Sequence, residues 1–133
     1  MTSGSGSGGS GSLRDTPFDV WLCVLLMAGA GIVFMVESLI RLSTVGGAGL
    51  LQFPATMLLF ELAAAAGALA GARWARPVVL IIVILAALLH IVIVLGDGPG
   101  WTRIVSGVLA ASQIYALVVL NTKPVREHFR ISR

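Results

Sequence analysis

Four apolar stretches, each long enough to cross a bilayer, constrain this chain more than any other feature. The clearest of them, Val78 to Leu89, holds no polar side chain at all. Transmembrane β-strands alternate apolar and polar residues over about 10 positions, so such a run does not fit a barrel. Hydrocarbon offers no partners for backbone N–H and C=O groups, which leaves the α-helix as the way to cross. The stretches fall at about residues 18–42, 54–72, 77–95 and 101–120. At about 1.5 Å per residue, 19 or 20 residues cover roughly 30 Å of hydrocarbon. The first stretch is longer and spans with tilt or projects past the interface.

Composition narrows the class further. Of 133 residues, 57% are hydrophobic and 11% charged, against roughly 25% charged in a soluble domain. One cysteine, Cys23, rules out a disulfide framework. The net charge of +3 is spread over span ends and tail rather than along a stripe, so nucleic acid is not an expected partner. Eight of the nine bases are arginine amid abundant Ala, Val and Gly, a bias of GC-rich, actinobacterial-like bacterial genomes.

The expected fold is therefore all-α, an integral membrane bundle of four transmembrane helices. Residues 1–15 read as a flexible Gly/Ser-rich tail, 16–122 as the membrane domain and 123–133 as a basic cytoplasmic tail. No basic segment precedes a short apolar run, so a signal peptide is not expected. Thr16-Pro17-Phe18-Asp19 combines a hydroxyl cap, a first-turn proline and an early acid, and predicts a helix start. Residues 43–53 (STVGGAGLLQF) read as a glycine-rich loop, re-entrant or interfacial. Arg73, Trp74 and Arg76 predict a tight basic turn with an aromatic anchor, residues 96–100 (GDGPG) a second turn, and Lys123-Pro124 the stop of the last span.

Orientation follows from charge. Arg14, Arg73, Arg76, Lys123, Arg126, Arg130 and Arg133 share one side, and Arg41 and Arg103 the other. The positive-inside rule then places both termini in the cytoplasm of a bacterial plasma membrane.

Ionisable groups within a span are costly and mark candidate sites. Three are present: Glu37, Glu61 and His90. Counted from the expected span ends, they lie at depths of roughly 9, 10 and 8 Å, one layer beneath the outer surface. Arg103 and Gln113 on the fourth span extend this candidate polar cluster. Each polar residue shares its helical face with small ones: Glu37 with Cys23, Ala30 and Arg41; Glu61 with Ala64, Ala65, Ala68 and Ala72; His90 with Ala86 and Ala87; Gln113 with Ser106 and Ala110. Small residues mark close helix contact in membranes, so these stripes are expected to face inward.

A structural explanation stands beside the functional one. Glu37 and Arg41, four apart, form an ion pair; Glu61 pairs with His90 or Arg103, or stays protonated; His90, Ser106 and Gln113 are interhelical hydrogen-bonders. The functional explanation is an outer-leaflet pocket that handles a proton, a cation or a polar head group, with a carboxyl and an imidazole suited to proton transfer. Two carboxylates and an imidazole suit a divalent metal, but the tight HxxxH or HExxH spacing is missing and no metal is expected. One histidine within the spans excludes a bis-histidine haem, and no cofactor is expected. No GxSxG, GK[ST] loop or CxxC is present, and Cys23 in apolar surroundings is an inert thiol.

Two further features bear on partners. Gly67 and Gly71 form a GxxxG pair that suggests a second packing face. The tail residues Lys123, Arg126, Phe129, Arg130 and Arg133 read as an anionic-lipid anchor, or as a docking element with Phe129 as its apolar contact. The leading functional expectation is a small non-catalytic accessory or assembly subunit of a larger bacterial membrane complex. The alternatives are a small oligomeric proton, cation or small-molecule transporter built on the Glu/His cluster, and a small membrane oxidoreductase or quinone-associated subunit. Membrane lipids and a larger membrane protein or a second copy of the chain are the expected partners.

Overall fold

The computed structural model describes residues 16–47 and 49–131. The tail 1–15 and Arg133 lie outside the described residues. Five helices follow one another: α1 (Phe18–Val45), α2 (Gly49–Leu69), α3 (Ala75–Leu95), α4 (Gly100–Leu120) and α5 (Lys123–Ile131). The first four are long and apolar enough to cross a membrane. No strand occurs among the described residues. The chain is an all-α, multi-pass bundle.

The four spans run up and down around a ring. α3 packs most extensively on α4, α1 packs on both α2 and α4, and the α2–α3 contact is the thinnest of the ring. Thr122 closes the ring at the termini end by donating its hydroxyl to Asp19 Oδ2 at 2.9 Å.

Three helix boundaries differ from those the sequence suggests. The hydroxyl cap at Thr16 does not form; Pro17 occupies the cap position without a side-chain bond, and its carbonyl takes the amides of Val20 and Trp21. The expected 43–53 loop shrinks to the short stretch between Val45 and Gly49, because α1 runs on to the first and α2 starts at the second. Backbone near a bilayer satisfies its polar groups best by continuing the helix. Gly46 and Gly47, at φ 76° and 103°, turn the chain in conformations that cost other residues a steric penalty. Pro54 accordingly lies inside α2, where its missing N–H frees the Leu50 carbonyl.

The far end of α2 overturns the GxxxG expectation. Gly71 is not in the helix but terminates it at φ 68°. The Ala72 amide returns to the Gly67 carbonyl and the Gly71 amide to that of Ala68, each at 3.0 Å. This is a Schellman stop, in which a left-handed glycine caps orphan carbonyls. Gly67 faces the Trp74 ring and Ala75 of its own chain. The turn is thus clamped by an aromatic ring seated on a residue with no side chain.

The core occupies the half of the bundle nearer the termini. Val20, Cys23 and Met27 of α1 meet Ala64 and Ala68 of α2, Val79 and Val83 of α3, and Ala116 and Leu120 of α4. The tail joins them. α5 is amphipathic, and its Val125 and Phe129, four apart, sink into this core. His128 Nε2 lies 3.1 Å from the Ala68 carbonyl at the end of α2. Phe129 is 6% exposed, so it is not free to serve as the apolar contact of a docking tail. Lys123, Arg126 and Arg130 remain at the surface.

The turn clamp makes a test. A Cβ at Gly67 would stand 2.8 Å from Trp74 Cη2 and 3.2 Å from the Ala75 Cβ, whereas one at Gly29 meets nothing within 4 Å. Gly67→Val is expected to destabilise the detergent-solubilised protein by about 1–3 kcal/mol through overpacking. Gly29→Ala is expected to be neutral or to stabilise by about 0.5–1 kcal/mol. Thermal unfolding followed by circular dichroism distinguishes the two.

Candidate functional site

In the other half of the bundle the buried surface turns polar. Glu37 and Ser38 of α1, Glu61 of α2, His90 of α3, and Thr102, Ser106 and Gln113 of α4 are all buried. The small-residue stripes bring them there: Ala30, Ala64, Ala65, Ala68, Ala86, Ala87 and Ala110 all face inward. Their low profile lets the helices approach and leaves room for polar side chains among them.

Two of these groups converge on one turn of α1. The Glu61 carboxyl lies against Gly31, where a Cβ would overlap its Oε2 and would stand 3.1 Å from its Cδ. The His90 ring meets the Phe34 ring edge-on, centroids 5.2 Å apart and planes at 87°. Gly31 and Phe34 are separated by about 4.5 Å along the axis. A carboxyl from α2 and an imidazole from α3 therefore address adjacent levels of the same helix. Gly31 is what admits the carboxyl.

No hydrogen bond or ion pair joins Glu61 to His90 or to Arg103 among the described residues, contrary to the expected pairing. Instead Glu61 Oε2, His90 Nδ1, Ser106 Oγ and both amide atoms of Gln113 are buried without a partner. The Thr122–Asp19 bond fixes the α4 register against α1. By that register Ser106 lies about level with Met35 and Gln113 about level with Ala28, roughly 10.5 Å apart along the axis, so the two bracket the Gly31–Phe34 turn.

Glu37 and Arg103 take other roles. Arg41 Nη2 donates to Glu37 Oε1 at 2.7 Å, the i, i+4 pair expected from spacing. Arg103 is exposed and donates its Nε to the Val94 carbonyl at 2.8 Å, thereby capping α3. It does not enter the cluster. Glu37, Glu61 and His90 do not gather as metal ligands; among the described residues no group of three His, Cys, Asp or Glu does.

The spans are staggered, which reshapes the depths expected from sequence. Phe34 lies 11 residues from the end of α1 at Val45, whereas His90 lies 5 residues from the end of α3 at Leu95. The α1–α2 hairpin thus overhangs α3 by about 9 Å. Beneath the overhang is a cavity of about 240 Å³, walled by Phe34, Ser38, Arg41, Phe53, Pro54 and Ile93 among others. Phe34 is shared between this cavity and the His90 ring. A charged residue at the rim, Arg41, and an aromatic at the floor give it the form of a vestibule above the Glu61–His90 layer. The sequence holds no signal for this overhang. Once the lengths of α1 and α2 are known, Phe34 and Gly31 emerge as site residues that sequence reasoning missed.

No family model, curated protein or solved structure matches this chain.

The contact of Glu61 with Gly31 is testable by a double-mutant cycle. Gly31→Ala is expected to cost about 1–3 kcal/mol by forcing the carboxyl aside. In a Glu61→Ala background the same change is expected to cost at least about 1 kcal/mol less, since only the movable end of Leu58, 3.0 Å from the new Cβ, is left to give way, and that difference is the coupling. Additive effects in thermal or chemical unfolding would show that the carboxyl lies elsewhere.

Proposed function

We propose that this protein is a small membrane carrier that passes protons or a small cation through the Glu61–His90 layer. One observation supports this reading above the others. Buried polar atoms of Glu61, His90 and Ser106, on three helices, fall within about one helical turn of one another along the bundle and have no partners within it. A buried polar group left unpaired costs about 1–3 kcal/mol, so several within one turn are poor structural glue. They suit a site whose partners come and go. The carboxyl and imidazole can each take up and release a proton, and Ser106 can donate to or accept from a passing solute.

In this proposal the vestibule faces outward. Arg73, Arg76, Lys123, Arg126 and Arg130 mark the termini end as cytoplasmic, against Arg41 and Arg103 at the other end, in a bacterial plasma membrane. Glu37, buried and held by Arg41, offsets the charge of the rim arginine rather than carrying the cargo.

A second reading rests on α2. It makes the thinnest contact in the ring and presents Phe53, Leu59 and Phe60 outward. That surface suits a neighbouring span, so the chain would serve as an accessory or assembly subunit of a larger membrane complex, or pack against its own copies. Stoichiometric co-purification of a larger membrane protein from native membranes, abolished on replacing Phe53 and Phe60 by Ala, is the outcome that favours it.

Purified protein in liposomes loaded with a pH-sensitive dye tests the carrier directly. Under an imposed potential, internal acidification is expected to exceed that of empty liposomes. Glu61→Gln is expected to reduce the rate at least about ten-fold through loss of the acid–base group. Arg103→Gln, whose exposed side chain is turned away from the layer to the Val94 carbonyl, is expected to leave the rate within about two-fold of the parent, as for a surface change. Flux no greater than in empty liposomes, for protons and for sodium or potassium alike, would contradict the proposal.

A further inference from the structure

A second site stands at the termini end, where α5 folds back against the α2–α3 turn. The groove between them has a volume of about 450 Å³ and is walled by Arg73, Arg76, Lys123, Arg126 and Arg130, with Glu127 as the one acid and Pro77 and Phe129 as apolar wall. Its size falls within the roughly 300–1,000 Å³ of small-ligand sites. Lys123 approaches Glu127 at 3.9 Å. The four arginines have no carboxylate partner among the described residues. Arg76 Nε is moreover buried in the groove wall with no acceptor. An orphaned buried guanidinium donor is costly and calls for an anionic acceptor.

We infer that this groove binds the head group of an anionic phospholipid carrying two phosphates. Five cations facing one carboxylate match more negative charge than a single phosphodiester supplies. The arginine forks suit phosphate oxygens in bidentate geometry. The location selects a lipid over a soluble phosphate. The groove opens where the spans end, beside Trp74, which is 56% exposed at the position an interfacial anchor takes. Pro77 at the start of α3 gives the acyl chains an apolar path along the bundle. The tail is thus half of a discrete site whose other half comes from Arg73 of the α2–α3 turn and Arg76 in the first turn of α3. This differs from a diffuse basic anchor, which needs no fixed partner across a groove. It is also independent of any transport through the Glu61–His90 layer.

The test uses the full chain in phosphatidylcholine nanodiscs doped with cardiolipin, or with phosphatidylglycerol at matched total charge, and counts retained lipid by native mass spectrometry. Cardiolipin is expected to be retained roughly ten-fold or more over phosphatidylglycerol. The double change Arg76→Gln and Arg130→Gln is expected to lower cardiolipin retention roughly ten-fold or more, since each substitution removes one cationic partner of a phosphate. A second variant guards against misfolding: Arg126→Gln, on an exposed turn of α5, is expected to weaken retention several-fold with the unfolding temperature in phosphatidylcholine unchanged. Equal retention of the two lipids would show a diffuse anchor and overturn the inference. So would retention unaffected by all three substitutions, or displacement of cardiolipin by millimolar inorganic pyrophosphate, which would point to a soluble phosphate ligand.

Discussion

The bundle depends on a contact between a carboxyl and a residue without a side chain. Glu61 on α2 cannot face hydrocarbon at acceptable cost, so it turns inward. It can do so because Gly31 on α1 leaves room for it; any Cβ there would occupy the place of the carboxyl oxygen. That contact sets the rotation of α2 against α1. Phe34, one turn further along α1, receives the His90 ring and so sets α3. The rest of the ring closes through Asp19 and Thr122 at one end and through Arg103 on the last turn of α3 at the other.

This arrangement divides the interior into two kinds of material. Near the termini it is a dry apolar core, completed by Val125 and Phe129 of α5. Beyond it the interior is lined by alanines and by buried polar groups with spare hydrogen-bonding capacity. Hydrophobic burial contributes little to helix association inside lipid, where association rests on close packing and polar contacts. A layer of unsatisfied polar atoms therefore weakens the bundle where it sits. The dry half, the Schellman stop at Gly71 and the Trp74 clamp on Gly67 offset that weakness from the other end. The same division assigns the two candidate sites to opposite ends, a polar layer under one overhang and a basic groove at the other.

Much of this was legible in the sequence, for reasons that differ by feature. The spans were legible because twelve unbroken apolar residues from Val78 have one physical outcome in a chain so poor in charge. The inward faces were legible because alanines recur at helical spacing beside each polar residue, and the Glu37–Arg41 pair because four residues make one turn. The α1–α2 loop was not. Glycines and a proline between residues 46 and 54 read as a break, yet helix continuation satisfies more backbone groups near lipid. The GxxxG pair misled because Gly71 serves a backbone angle and Gly67 serves Trp74, neither of which a spacing motif encodes. Arg103 misled because its charge suggested a partner for Glu61, while the open carbonyl of Val94 was nearer. Phe129 reads as exposed in a basic tail, and only the short α5 turns it into the core.

The central claim is that a protonatable carboxyl of α2 rests on the backbone of α1 inside the bundle. Solid-state NMR in bilayers, with carbon-13 at the Glu61 carboxyl and at Gly31 Cα, measures that distance directly. The packing described here predicts a strong short-mixing-time cross-peak between the two labels. Its absence, with the carboxyl resonance instead relaxed by water or by lipid, would contradict the packing and the polar layer built on it.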